Sequence, residues 1–197
     1  MAGLGERKSD GLLVLVVGPS GAGKDTLISA AKAALAADER FVFARRIVTR
    51  TAYTAAEDHA SLTREEFDAH AEIGGFALTW QAHNLSYGLP ATIIGDLRAG
   101  RIVVANVSRG VTAAAKRLPG SQIIVYVTAH PDILTRRLMA RGRESAQDIA
   151  DRVMRAQADI PVGAVEIRNN GTIEAATGTF VALLRHLADV KPDQMRL

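Results

Sequence analysis

Gly18-Pro19-Ser20-Gly21-Ala22-Gly23-Lys24-Asp25-Thr26 lies directly between an apolar run, Leu12–Val17, and a stretch of helical periodicity over residues 24–37. The spacing of Gly18, Gly23 and Lys24 meets the pattern G-x-x-x-x-G-K. Such a loop must curl tightly enough for successive amide N–H groups to face one phosphate, and a Cβ at the glycine positions blocks that approach or the required φ. The following helix adds its positive N-terminal end, and Lys24 is placed to reach the outer phosphates. A glycine-rich turn of no function would also fit the composition. It would not demand the strand–loop–helix context in which this one occurs.

Outward from the loop, short β-branched runs alternate with amphipathic stretches. Residues 41–49, 101–107 and 122–127 read as strands, and residues 111–117 and 131–141 as helices. Strand and helix in alternation predict an α/β fold of three layers, a parallel sheet with helices on both faces, as in P-loop nucleotide-binding proteins. Residues 50–90 interrupt the pattern with a loop, a short helix and one or two strands, and form a predicted acceptor-binding insert. The helix opens on Thr63 with Glu66 three residues on, a capping box. Residues 76–81 read as a strand and Ser86-Tyr87-Gly88 as a turn. Residues 141–146 read as a charged link between two helices. Residues 1–10 are read as a disordered tail and 11–197 as one domain.

The chain has 197 residues, 48% of them hydrophobic and 23% charged, which is globular rather than disordered composition. It has no cysteine, which rules out disulfides and thiolate metal sites and fits a reducing, cytoplasmic setting. The net charge of +3 comes with no nucleic-acid-binding motif, so no nucleic-acid partner is expected. The longest apolar run is far too short to span a bilayer, so no membrane partner is expected either. A homodimer is left open.

The loop departs from its usual form at one place. Asp25 stands where Ser or Thr normally offers a hydroxyl to magnesium; a carboxylate is also a hard oxygen ligand and makes Asp25 the candidate metal residue. Thr26 offers a hydroxyl to the α-phosphate. The strand over residues 101–107 carries Ala105 and Asn106 where many P-loop proteins have a metal-organising aspartate, which argues against a GTPase-type switch.

Further motifs follow the loop: Val48-Thr49-Arg50, Glu57-Asp58-His59, Arg64-Glu65-Glu66-Phe67, Ser86-Tyr87-Gly88, Arg141-Gly142-Arg143-Glu144 with Arg152, and Arg168-Asn169-Asn170. With them the chain resembles the guanylate kinase family from about Leu12 to Leu187, and within it the ribose 1,5-bisphosphate phosphokinases. Guanylate kinases read guanine with a glutamate in Phe-Leu-Glu-Trp; here Phe76-Ala77-Leu78-Thr79-Trp80 offers Thr79. Threonine cannot accept both guanine N–H groups, and each donor left unpaired in a dry pocket costs about 1–3 kcal/mol.

The resemblance implies transfer of the ATP γ-phosphate to ribose 1,5-bisphosphate, with Mg²⁺ as cofactor. It gives residues 18–26 to the ATP phosphates, Asn169 to the adenine side and about 141–152 to a lid. Arg50, His59, Tyr87 and Thr79 fall on the acceptor, and Lys24, Arg141 and Arg152 on the charge of the transferred group. Asp58 stays open between a ribose hydroxyl and a turn cap, and His59 between a ligand and an ordinary loop histidine. Trp80 reads as core, and Arg136, Arg137, Arg143 and Arg155 as mostly solvated helical charge. A nucleoside monophosphate kinase of altered base preference is the alternative. A non-catalytic binding module is disfavoured by the intact loop.

Overall fold

The computed structural model describes residues 10–49, 59–82, 84–140 and 160–190. Arg50, Asp58, His83, the proposed lid with Arg141 and Arg152, and all but the last residue of the tail lie outside them.

The first strand, β1 (Leu12–Val17), is buried along its whole length. Because successive side chains alternate between faces, it feeds two separate cores. Leu12, Val14 and Val16 join one with Leu27, Ala31, Phe180 and Leu184, while Leu13, Leu15 and Val17 join the other with Ile93, Leu97 and Tyr126. A strand apolar on both faces belongs inside a parallel sheet covered on each side. Helix α1 (Lys24–Ala34) follows, then β2 (Phe41–Phe43), β3 (Arg46–Val48), β4 (His59–Ser61), α2 (Arg64–Glu72), β5 (Phe76–Ala82), β6 (Leu85–Pro90) and α3 (Thr92–Arg98). Next come β7 (Ile102–Asn106), a 3₁₀ turn at Arg109–Val111, the single-turn α4 (Thr112–Ala115), β8 (Ser121–Thr128), α5 (Pro131–Met139), β9 (Val165–Arg168) and α6 (Ile173–Asp189).

Two sheets result. The larger runs β2-β7-β1-β8-β9, with every pair parallel. This is the expected α/β arrangement, with β1 at the centre. The smaller runs β4-β3-β6-β5, with β3 parallel to β4 and antiparallel to β6.

The strand expected over residues 41–49 is two strands in different sheets. Phe41–Phe43 pair with Ile102–Val104, and Ala44 N still donates to Val104 O at 2.9 Å. Arg45 and Arg46 then leave the sheet, because two adjacent guanidinium groups cannot continue between apolar layers without partners. Ser86-Tyr87-Gly88 is likewise strand rather than turn: the chain reverses between the paired residues Ala82 and Leu85, with Asn84 at φ 60°. Asparagine tolerates that conformation in a tight hairpin. Gly88 makes room for the ring of Phe76, which would collide with any Cβ there. The helix expected over 111–117 is a single turn preceded by a 3₁₀ turn.

The capping box on α2 is present in full. Glu66 N donates to Thr63 Oγ1 at 3.1 Å, and Thr63 N to Glu66 Oε2 at 2.8 Å. Replacing Thr63 with alanine is expected to lower stability by about 1 kcal/mol in a denaturant titration, without changing the slope. No described helix is long and apolar enough to cross a membrane.

Candidate active site

Parallel pairing brings the C-terminal ends of β1, β7, β8 and β9 to one edge of the large sheet, where open α/β sheets bind ligands. The loop begins there. Gly18 has φ 144°, and a Cβ on it would be driven into the carbonyl oxygen of Val127 in β8. Gly23, at φ 92°, is the N-cap of α1. Between them Ala22 N donates to Pro19 O at 3.3 Å, closing the curl. Lys24 Nζ donates to Gly18 O at 2.8 Å and Pro19 O at 2.9 Å, so the ammonium is tethered to the start of the loop. Thr26 is exposed on the first turn of α1.

Two residues brace the loop from below. Asn169 follows β9, its N–H donating to Thr128 O at 2.7 Å and its Nδ2 to Ala22 O at 2.9 Å. The side chain is 2% exposed, so as placed it touches the loop backbone. Arg137, expected among solvated charges, is half-buried and donates through Nη1 to Gly21 O at 3.4 Å and through Nη2 to Asn169 O at 3.2 Å. Helical periodicity could have flagged it, since Arg137 falls between the buried Leu134 and Leu138 on the inner side of α5. Arg136 is exposed as expected.

Beside the loop, a cavity of about 260 Å³ is lined by Thr128, His130, Leu134, Glu166, Arg168 and Asn170. Asn170 is exposed there and its Oδ1 accepts from His130 N at 2.7 Å. Glu166 accepts from Arg168 Nε at 2.8 Å, which lifts the guanidinium pKa above its ordinary value.

Asp25 lies in the first turn of α1. Its Oδ1 accepts from Arg46 Nη2 at 3.0 Å and from Asn106 Nδ2 at 2.6 Å. Neither partner was among the residues expected at the site. The doublet Arg45-Arg46 at the end of an apolar run, and an amide at the end of a buried strand, were the available signals. Among the described residues no three acidic, histidine or cysteine side chains cluster as a metal site. A magnesium ion at a nucleotide needs no such cluster, since phosphates and water supply most of its ligands. Asp25 Oδ2 accepts no hydrogen bond found among the described residues, so the donor set fits a single carboxylate oxygen on the metal.

The small sheet faces this edge. His59 pairs with Arg46 and Tyr87 with Val48, so by strand alternation His59 and Tyr87 share the face of Arg46. Trp80 stacks on Tyr87 with ring centroids 5.4 Å apart on that face, and packs against the second core, as its reading as core requires. Thr79 pairs with Gly88 and therefore projects from the opposite face, where it is exposed. Thus His59 and Tyr87 are brought together and Thr79 is not. Behind them Ser86 N donates to Thr49 Oγ1 at 2.8 Å, and Ser86 Oγ accepts from Arg64 Nη1 at 2.8 Å.

Among solved structures, guanylate kinase from Anaplasma phagocytophilum superposes with a TM-score of 0.67 at 18% identity, covering 96% of this chain and 89% of that one. The likeness is one of fold. No family model matches the chain. Among curated proteins, the bifunctional ribose 1,5-bisphosphokinase-thymidine phosphorylase of Cupriavidus necator is 50% identical over 181 residues, 90% of this chain. The chain spans only 30% of that longer protein. Ribose 1,5-bisphosphate phosphokinase PhnN of Brucella melitensis is 46% identical, covering 90% of this chain and 94% of its own length. The enzyme of the same name from Acidiphilium cryptum is 49% identical, with 91% and 96% covered. With relatives this similar matched over about nine tenths of this chain, on a guanylate-kinase-like α/β fold with a phosphate loop, the chain belongs to the ribose 1,5-bisphosphate phosphokinase family.

Proposed function

We propose that this chain transfers the γ-phosphoryl group of ATP to the 1-phosphate of ribose 1,5-bisphosphate, giving 5-phosphoribosyl 1-diphosphate and ADP. A 1-phosphate oxygen forms the new bond to Pγ, and the bond from Pγ to the β–γ bridging oxygen breaks. The observation that carries this reading is the match, over about nine tenths of this chain, to phosphokinases of that name. The geometry supports it through a tethered Lys24 at a curled loop, opposite a small sheet that presents His59 and Tyr87.

Phosphoryl transfer asks the protein mainly for positioning and charge. The amides of residues 18–24 hold the β- and γ-phosphates, and Lys24 exchanges its carbonyl partners for phosphate oxygens. Thr26 meets the α-phosphate, and the base lies toward the Asn169-Asn170 turn. Asp25 Oδ2 would hold Mg²⁺, which would supply positive charge to offset that of the phosphates. His59 and Tyr87 orient the acceptor. Arg50, Asp58, Arg141 and Arg152, outside the described residues, keep the roles the resemblance implies. No general base is needed, because a phosphate monoester is already anionic near neutral pH.

The test is kcat/KM for ribose 1,5-bisphosphate, GMP, AMP and UMP with ATP and Mg²⁺. Ribose 1,5-bisphosphate is expected to exceed every nucleotide by at least about 10²-fold, the selectivity that unpaired polar groups impose on a mismatched ligand. GMP as the best acceptor would replace this reading with a nucleoside monophosphate kinase.

A further inference from the structure

The residue after the loop lysine is where this chain departs from the usual hydroxyl, and the structure surrounds that departure. Asp25 is met by residues from two other elements: Arg46, the first residue of β3 in the small sheet, and Asn106, the last residue of β7. The Arg46 side chain is only 13% exposed and that of Asp25 37%. A guanidinium withdrawn from water to this extent needs a partner of opposite charge.

A carboxylate in the first turn of a helix is favoured by the helix dipole. The same position faces a triphosphate in the function proposed above, and there a second negative charge repels the ligand. A neutral hydroxyl avoids that repulsion; Asp25 does not. Arg46 Nη2 and Asn106 Nδ2 donate to the same oxygen of Asp25, Oδ1. The two donors on Oδ1 fix the carboxylate's orientation and leave Oδ2.

We propose that Arg46, together with Asn106, is a positioning residue that offsets the charge of Asp25 beside the triphosphate and reserves Oδ2 for the metal. The replacement of hydroxyl by carboxylate after Lys24 is then half of a matched pair, whose other half is Arg46. Because Arg46 belongs to the small sheet, the pair also ties the acceptor side of the molecule to the nucleotide side.

This inference rests on nucleotide binding at the loop, and one experiment separates the two. A non-hydrolysable ATP analogue with a β–γ imido bridge is titrated calorimetrically onto the wild type, R46M, R46K and the double variant D25S/R46M. Each titration is run in Mg²⁺ and in EDTA, with thermal melts to confirm folding. In EDTA, R46M is expected to bind about tenfold more weakly than the wild type, as an uncompensated charge near a polyanion requires. In Mg²⁺ the loss shrinks, because the cation supplies positive charge at the same place. In EDTA, D25S/R46M, with both charges gone, recovers to within about threefold of the wild type, and R46K, which keeps the charge, stays within the same range. Equal R46M losses with and without Mg²⁺, or, in EDTA, a double variant or R46K as weak as R46M, would each overturn the proposal. Should R46M not fold, R46K and the double variant decide the matter by the same criteria. A wild type that binds no analogue removes the functional reading and this inference together. A wild type that binds while R46M is unchanged removes this inference alone.

Discussion

Replacing Lys24 with alanine is expected to lower kcat/KM by about 10²- to 10³-fold, the usual loss when one preorganised cationic donor is taken from a charged transition state. The ammonium is already held at the mouth of the loop by the Gly18 and Pro19 carbonyls, at 2.8 and 2.9 Å. Little side-chain entropy is therefore spent when it turns to phosphate. The side chain is half-buried and belongs to neither core, so the loss of its two hydrogen bonds should lower stability by only about 1–2 kcal/mol. Steady-state kinetics and a thermal melt on one preparation check both statements. Loss of activity with a melt lowered by no more than about 8 °C is the expected pair. An active Lys24→Ala enzyme would remove the loop from the mechanism.

Gly18→Ala should have a comparable effect on activity for a different reason. At φ 144° alanine is strained, and its Cβ would meet the Val127 carbonyl, which is main chain of an interior strand and cannot swing aside. Strain of this kind costs about 1–3 kcal/mol, and overpacking adds a similar amount. A total of about 2–6 kcal/mol corresponds to a fall in Tm of roughly 4–24 °C for a domain of this size. Nucleotide binding should be lost even well below the transition, because relief of the clash moves the loop amides off the phosphate. Calorimetric titration of ATP at low temperature separates this loss from unfolding. Unaltered affinity would contradict the assignment of the loop.

How much of this was legible in the chain follows from the range of the interactions. The loop was legible because its function depends on local backbone: glycines at fixed spacing, a buried strand before and a helix after. The capping box on α2 is local as well, and is found as read. Over residues 41–49 the run of β-forming residues continues on both sides of Arg45-Arg46 and reads as one strand, whereas the chain changes sheets there. What makes the change possible is Asp25, a partner 21 positions away in sequence. Asn169 and Arg137 brace the loop from β9 and α5, and only the sheet order β1-β8-β9 brings them under it. Thr79 was grouped with the acceptor residues from a motif, but a period of two places it on the other face from Tyr87. Chemistry that depends on strand order or sheet face is not encoded in any short stretch of sequence.

The most direct measurement follows the phosphorus. With γ-³²P-labelled ATP, Mg²⁺ and ribose 1,5-bisphosphate, the label is expected in the outer phosphate of a 1-diphosphate sugar, one equivalent for each ADP formed. Label recovered only as inorganic phosphate, or in GDP from a competing pool of GMP, would contradict it.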